Sequence, residues 1–494
     1  MMPRKLDSVL AHRRAVPMLL FALIWLSCAW FGSWELNPNN STRLFAAISL
    51  VEHGDATIDE FAPLTIDRAQ FGAHVYTDKA PGMTLMALPA VAIANAVTGA
   101  SSASLTKTID DPALGRFMKL RLRLAAMFSS ALLTGLAAVA LWSLARDVTG
   151  NANAALIAAL AYGLGTPAWG WSTTIFGHAS VAALFMIAIW AVWRATQAVP
   201  RRGMAALVGL ALGWAVVVEF QAVLAGAAIG VWALWRIRAL PVGMRLPLML
   251  ALIGGGVAAG LPMIAYNLVA FGVPIKFGYS GVVGFDGMQQ GFFGLTYPKL
   301  PVLFELLFGP RRGLIWVAPV LLLAPIGLMR WYRQPGHRPM VVMVLAVVAI
   351  VLLINASYFY WDGGFSTGPR HSVPALPLLA LGLAPLYATL EKGRARAAML
   401  AVLALSIAVN LMIAAAEVTA PDTAPFPLWR PILIEDVANG YFRDLPGQFW
   451  GWSPWAGVAL YLMLATAIGA ALIIAARTVT RDEATGRYSE MTFG

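Results

Sequence analysis

The chain has 494 residues, of which 59% are hydrophobic and 12% charged, with a mean hydropathy of +0.72. A soluble protein carries about 25% charged residues. The apolar runs here are long and continuous rather than alternating, so a soluble enzyme and a β-barrel are both excluded. The net charge of +11 comes from Lys and Arg at the ends of apolar runs, a pattern of membrane anchoring and not of nucleic-acid binding, and the single Cys28 excludes a disulfide framework.

In chain order, apolar runs at 15–33, 123–145, 153–168, 178–197, 203–235, 246–271, 313–330, 338–358, 372–390, 397–417 and 454–476 predict membrane spans. The run 203–235 is too long for one span and contains Glu219-Phe220-Gln221 near its middle. Arg194, Arg201 and Arg202 precede it, and Arg236, Arg238 and Arg245 follow it. Both clusters favour the cytoplasm, which requires an even number of spans between them and hence two short helices. The same rule places the proline-interrupted run 80–98 outside, on or dipping into the membrane. Arg4, Lys5, Arg13 and Arg14 at one end, and Arg477, Arg481 and Arg487 at the other, put both termini in the cytoplasm. Residues 1–33 read as a retained first helix and not a cleaved signal.

The predicted fold is an all-α polytopic membrane protein with about twelve transmembrane helices plus extracytoplasmic juxtamembrane helices. Its large polar segments, 34–122, 271–312, 359–371 and 418–453, all fall outside, with the short turn 166–177. The spacing of Leu44, Phe45, Ile48 and Val51 predicts a juxtamembrane helix in the interface. Residues 1–390 form the expected catalytic module; residues 391–494 add C-terminal spans.

The chemistry-bearing residues lie in those outer segments. The first loop concentrates Asp55, Asp59, Glu60, Asp67 and Asp78 and contains Tyr76. Asp78-Lys79-Ala80-Pro81 stands where the chain re-enters the membrane, as a catalytic or anion-binding pair or a helix cap. His178 opens a span, and Glu219 sits at a hairpin tip in apolar surroundings. Arg311 and Arg312 lie outside against the usual charge bias, which suits a phosphate or an anionic headgroup. Tyr360 to His371 form a glycine-rich outer loop containing Trp361, Asp362 and Arg370, with Asp362 expected to hold Arg370 or a ligand hydroxyl. Trp169, Trp171 and Trp361 are aromatics of these outer segments, as ligand contacts or as interface-belt residues. No P-loop, HExxH or CxxC pattern occurs and no metal ligand set is predicted. Charged residues are nearly absent from the spans, which argues against ion-coupled transport.

These features in this order resemble the glycosyltransferase C superfamily, in particular its lipid A aminoarabinose transferase and protein O-mannosyltransferase branch. The resemblance rests on the acidic first loop, the step at Asp78-Lys79-Ala80-Pro81, the span that opens after Arg121 and Arg123 and ends in Leu144-Ala145-Arg146, and the segment from Trp361 to Pro377. It implies transfer of a sugar, with inversion, from a polyprenyl-phosphate donor to an envelope glycan, lipid or protein on the outer face of a bacterial inner membrane. Asp78 is the first candidate base, then Asp59 and Asp55, with Asp67 behind them. Lys79, Arg370, Arg43 and Arg311 are expected at the donor phosphate. Asn40, Tyr76, His178, Glu219, Trp361, Asp362 and His371 are expected at the substrate. A divalent cation, Mg or Mn, is a compatible addition. The lipid tail is expected beside 80–98. Asn40 stands where the family carries its acidic base, and an amide takes no proton. A sugar-lipid transporter or a non-catalytic envelope-assembly partner are the alternatives.

Overall fold

The computed structural model describes the backbone of residues 2–484 and the side chains of residues 14–478. Arg4, Lys5, Arg13, Arg481 and Arg487 lie outside the described side chains.

Each expected span contains helix. The first half comprises α1 (Met2–Trp30), α2 (Pro38–Glu52), α3 (Gly82–Thr98), α4 (Pro112–Ala126), α5 (Leu132–Thr149), α6 (Ala152–Leu164), α7 (Ala168–Trp171), α8 (Gly177–Ala195), α9 (Arg202–Val218), α10 (Ala222–Arg238) and α11 (Val242–Phe271). A π-helical turn, Met127–Ala131, joins α4 to α5 as one continuous segment. The second half comprises α12 (Leu300–Phe308), α13 (Leu314–Val317), α14 (Ala324–Tyr332), α15 (Arg338–Ser357), α16 (Leu376–Leu381), α17 (Leu383–Thr389), α18 (Arg394–Ala416), α19 (Leu445–Trp450) and α20 (Pro454–Ala484). Among the described residues, seven helical segments are long and apolar enough to cross a membrane, and shorter apolar helices such as Arg202–Val218 supplement them. The chain is an all-α multi-pass membrane protein.

The long run 203–235 does break into a hairpin. Glu219 is extended, with φ −146° and ψ 115°, between α9 and α10. α11 turns Leu246, Leu250, Ile253, Val257 and Leu261 outward, as a lipid-facing helix does. At the other side Ser27 Oγ of α1 lies 2.8 Å from the Tyr461 hydroxyl of α20, which fastens the C-terminal helices to the first half.

α2 differs from its expectation. It does not lie in the interface with a wet face: Asn39 to Ser49 are all buried, polar residues included. Most of its polar side chains find partners inside the protein, Thr42 Oγ1 and Arg43 Nε being exceptions. Asn40, for example, donates to the Trp34 carbonyl and accepts from the Ile175 N–H at 3.1 and 3.2 Å.

The four long polar segments gather at one end of the helix block. A short antiparallel ribbon, β1 (Ala69–Phe71) and β2 (His74–Tyr76), belongs to the first of them. Backbone bridges join Phe31 to Asp444, Ala69 to Val282 and Leu295 to Tyr358. The Ser366 N–H donates to the Ala420 carbonyl at 3.0 Å. Loops separated by hundreds of residues thus form one layer over the helix ends.

Candidate functional site

A cleft opens in that layer. Its polar wall is assembled from five places in the chain: Arg43 from α2, Asp67, Asp78 and Lys79 from the first loop, His178 from α8, Glu219 from the hairpin break, and Arg370 and His371 from the turn before α16. Its apolar wall comes from Val181 and Phe185 of α8, Ala222 and Ala225 of α10, and Val351 and Ile354 of α15. Tyr279, Val282, Phe285 and Met288 of the 271–312 segment add to the lining.

Three carboxylates in the cleft are each met by a cation. The Lys79 ammonium lies 2.6 Å from Asp78 Oδ2 and 3.1 Å from Asp67 Oδ2. Glu219 Oε1 accepts from Arg43 Nη2 at 3.1 Å, and Arg43 Nη1 donates to the Asn39 side chain and carbonyl. Burial pushes the Asp78 carboxyl above its ordinary pKa; Lys79 opposes this, and Asp67 adds to it. Burial works against the Lys79 charge too, but Asp67 and Asp78 outweigh it and raise its pKa.

Other polar atoms have no partner. Asp78 Oδ1, Arg43 Nε, Arg370 Nε and His371 Nε2 are buried and unbonded. The Arg370 guanidinium makes no hydrogen bond or ion pair among the described residues and lies 5.2 Å over the Phe176 ring. Beside it the His178 and His371 rings meet edge to face at 4.8 Å. Buried polar groups in folded proteins are normally satisfied, so a cluster of exceptions is a sign of a ligand site.

Gly363 explains how Arg370 is positioned. Its φ is +76°, and a Cβ there would come within 2.8 Å of Arg370 Nε. The turn containing it is pinned by buried Arg312, which with Arg311 was expected at a phosphate or an anionic headgroup. Arg312 donates to the carbonyls of Asp362, Gly364 and Arg311. Arg311 pairs with Asp362 at 2.5 Å and donates to the Asp422 carbonyl.

Several of the roles expected from the sequence are therefore displaced. Arg311 is not free for a phosphate, because Asp362 takes it; Asp362 for that reason does not hold Arg370. Asp59 is exposed and bonded to His74, Asp55 bonds Thr57, and neither lines the cleft. Asn40 is fully buried with both amide atoms occupied by backbone and does not line it either. Tyr76 packs against Phe271 at 4.9 Å outside the cleft. Trp361 gives its carbonyl to Asn355 and lies against Arg311. Trp169 and Trp171 are buried, Trp169 donating to the Ser27 carbonyl. No residue of 80–98 contributes to the apolar wall, and Gly82 of α3 packs on the Val217–Val218 backbone so closely that a Cβ would sit 2.7 Å from it. Unforeseen lining residues are Asn37, Gln221, Tyr279 and Tyr358. Only Gln221 carried a signal, as the neighbour of Glu219 in the break. Among the described residues no three metal-ligating side chains cluster.

No family model and no curated protein matches the chain in sequence. Solved structures do. A crystal structure of ArnT from Cupriavidus metallidurans bound to undecaprenyl phosphate matches over 97% of this chain and 74% of that one, with a TM-score of 0.51 and 16% identity. The apo structure of the same protein matches over the same shares at a TM-score of 0.52 and 15% identity. The chain thus shares the overall fold of these ArnT structures.

Proposed function

We propose that the protein transfers a sugar from a polyprenyl-phosphate donor to a hydroxyl acceptor on an envelope glycan, lipid or protein, at the extracytoplasmic face of a bacterial inner membrane. The observation that carries this reading is Arg370, a guanidinium with no hydrogen-bond or ion-pair partner among the described residues, at a cleft that has one polar and one apolar wall. A phosphate attached to a long hydrocarbon answers both walls at once. The shared fold with a structure that holds undecaprenyl phosphate supports the same ligand class.

In this reading Arg370 meets the donor phosphate, with Lys79, Arg43 and His371 near it, and the tail follows α8, α10 and α15. Asp78 acts as the base, and its raised pKa suits that task. The acceptor oxygen attacks the sugar C1 as its proton passes to Asp78. The bond between C1 and the phosphate oxygen breaks, and polyprenyl phosphate leaves. Negative charge grows on the phosphate during this step, and cations fixed in advance stabilise it. Lys79 already bridges the two carboxylates that a Mg or Mn ion would need, so no step is routed through a metal. Asp78 thereby takes the role that Asn40 is unable to fill.

Mass spectrometry of lipid-linked sugars and envelope glycans, in a deletion strain against its parent, tests the reading. Accumulation of one sugar-lipid together with loss of that sugar from one glycan is the expected result. Unchanged pools would remove the transferase reading. Accumulation of the sugar-lipid on the inner leaflet only would assign the protein to transport.

A further inference from the structure

We infer that the donor sugar is uncharged, bearing neither a free amine nor a carboxylate. The inference rests on the donor reading above and adds the class of sugar to it. An ammonium drawn out of water needs a carboxylate to receive it. The carboxylates of this cleft are already committed, Asp67 and Asp78 to Lys79 at 3.1 and 2.6 Å and Glu219 to Arg43 at 3.1 Å. The one Asp78 oxygen left unbonded is the atom assigned to the acceptor hydroxyl. A sugar carboxylate would need a cation, and Arg370, the cleft cation without a hydrogen-bond or ion-pair partner among the described residues, is assigned to the phosphate.

The polar groups that remain are neutral. Asn37 is buried, with its Nδ2 unbonded, while its oxygen caps α2 by accepting from the Asn39 N–H at 3.1 Å. The Gln221 amide and the Tyr279 hydroxyl make no hydrogen bond among the described residues, and all three side chains line the cleft. Amides and a phenol both donate to and accept from sugar hydroxyls. A site built to bond a hydroxyl discriminates strongly against analogues that lack it.

The test uses the full-length protein in lipid nanodiscs. Short-chain polyprenyl phosphates bearing a neutral hexose, a neutral pentose, a 4-amino pentose, a uronic acid or no sugar are compared in binding and turnover. A neutral donor should exceed both charged donors in kcat/KM by roughly tenfold or more. Gln221→Ala should raise KM for that donor while leaving the affinity for sugar-free lipid unchanged. Asn37→Ser keeps a capping oxygen but loses the amide donor, and should act in the same direction. Preference for the amino or acidic sugar overturns the inference. So does an equal loss of sugar-free lipid binding in Gln221→Ala, which would make that residue part of the lipid site. If wild-type protein fails to bind even the sugar-free lipid, the donor reading itself is wrong and the sugar class falls with it.

Discussion

Helix α2 has a charged cluster at each end, and the two are built differently. At the C-terminal end Glu52 accepts from Asn95, Ser101 and Ser102 at 2.8, 3.0 and 2.7 Å. Arg121 donates to Asn95 Oδ1 and to the Phe117 and Ala100 carbonyls, and its guanidinium lies 3.2 Å over the Phe117 ring. Every strong donor and acceptor there is committed to the protein, and the cluster ties α2 to α3 and α4. At the N-terminal end Arg43 joins a cleft where Asp78 Oδ1, Arg370 Nε and His371 Nε2 have no partner. Buried charge alone therefore does not mark a site. Charge held in place yet left unsatisfied does.

That contrast can be broken by substitution. Arg370→Ala should have the largest effect, a loss of turnover of roughly 10²–10³-fold, as for removal of one group that stabilises developing negative charge. Its melting temperature should barely move, because the guanidinium makes no hydrogen bond or ion pair among the described residues. Parallel loss of turnover and thermal stability would place Arg370 in the scaffold. Asp78→Asn should lower kcat by about 10²–10⁴-fold. A base must be ionised, and burial raises the Asp78 pKa, so wild-type activity should fall on acidification at a higher pH than an ordinary aspartate would give. The rate remaining in the amide variant should lack that limb; an unchanged profile would assign the base elsewhere.

The opposite cluster should behave in the opposite way. Arg121→Ala removes a fully bonded buried group and should cost about 1–3 kcal/mol of stability. Turnover at low temperature should stay near wild type, and a selective loss of kcat with normal melting would erase the distinction between the two ends. The smallest effect concerns Glu52. Burial alone would raise its pKa, but the hydrogen bonds from Ser102, Asn95 and Ser101 outweigh it and leave it lowered. A lowered carboxylate pKa gives stability that is present above the unfolded value and lost as pH falls through the folded one. Melting of Glu52→Gln should accordingly be less sensitive to acid than that of wild type.

The helix plan was legible in the sequence because span length and Arg placement are local quantities. The break at Glu219 follows from the Arg clusters on both sides of one overlong run. The cleft was legible in part. Asp78, Lys79, Arg370, His371, His178 and Glu219 stand out as polar residues in apolar or glycine-rich settings, and the fold brings them to one cleft. Which partner each one takes was not legible. Asp362 has Arg370 eight residues away, yet it pairs with Arg311, 51 residues back in the chain. Asn37 and Tyr279 lie among ordinary neighbours, and only the approach of separate loops brings them to the cleft. Asn40 misled for the same reason: its environment is made by Trp34 and Ile175, the latter 135 residues distant.

The most direct test of the account is product formation by the purified protein. Wild type, Arg370→Ala and Arg121→Ala would be given a polyprenyl-phosphate sugar labelled at C1, with envelope extract as acceptor, and the label followed by mass spectrometry. The account predicts covalent transfer of the label by wild type and by Arg121→Ala, and none above background by Arg370→Ala. Label that stays on the lipid with wild-type protein, or is transferred equally well by Arg370→Ala, would contradict it.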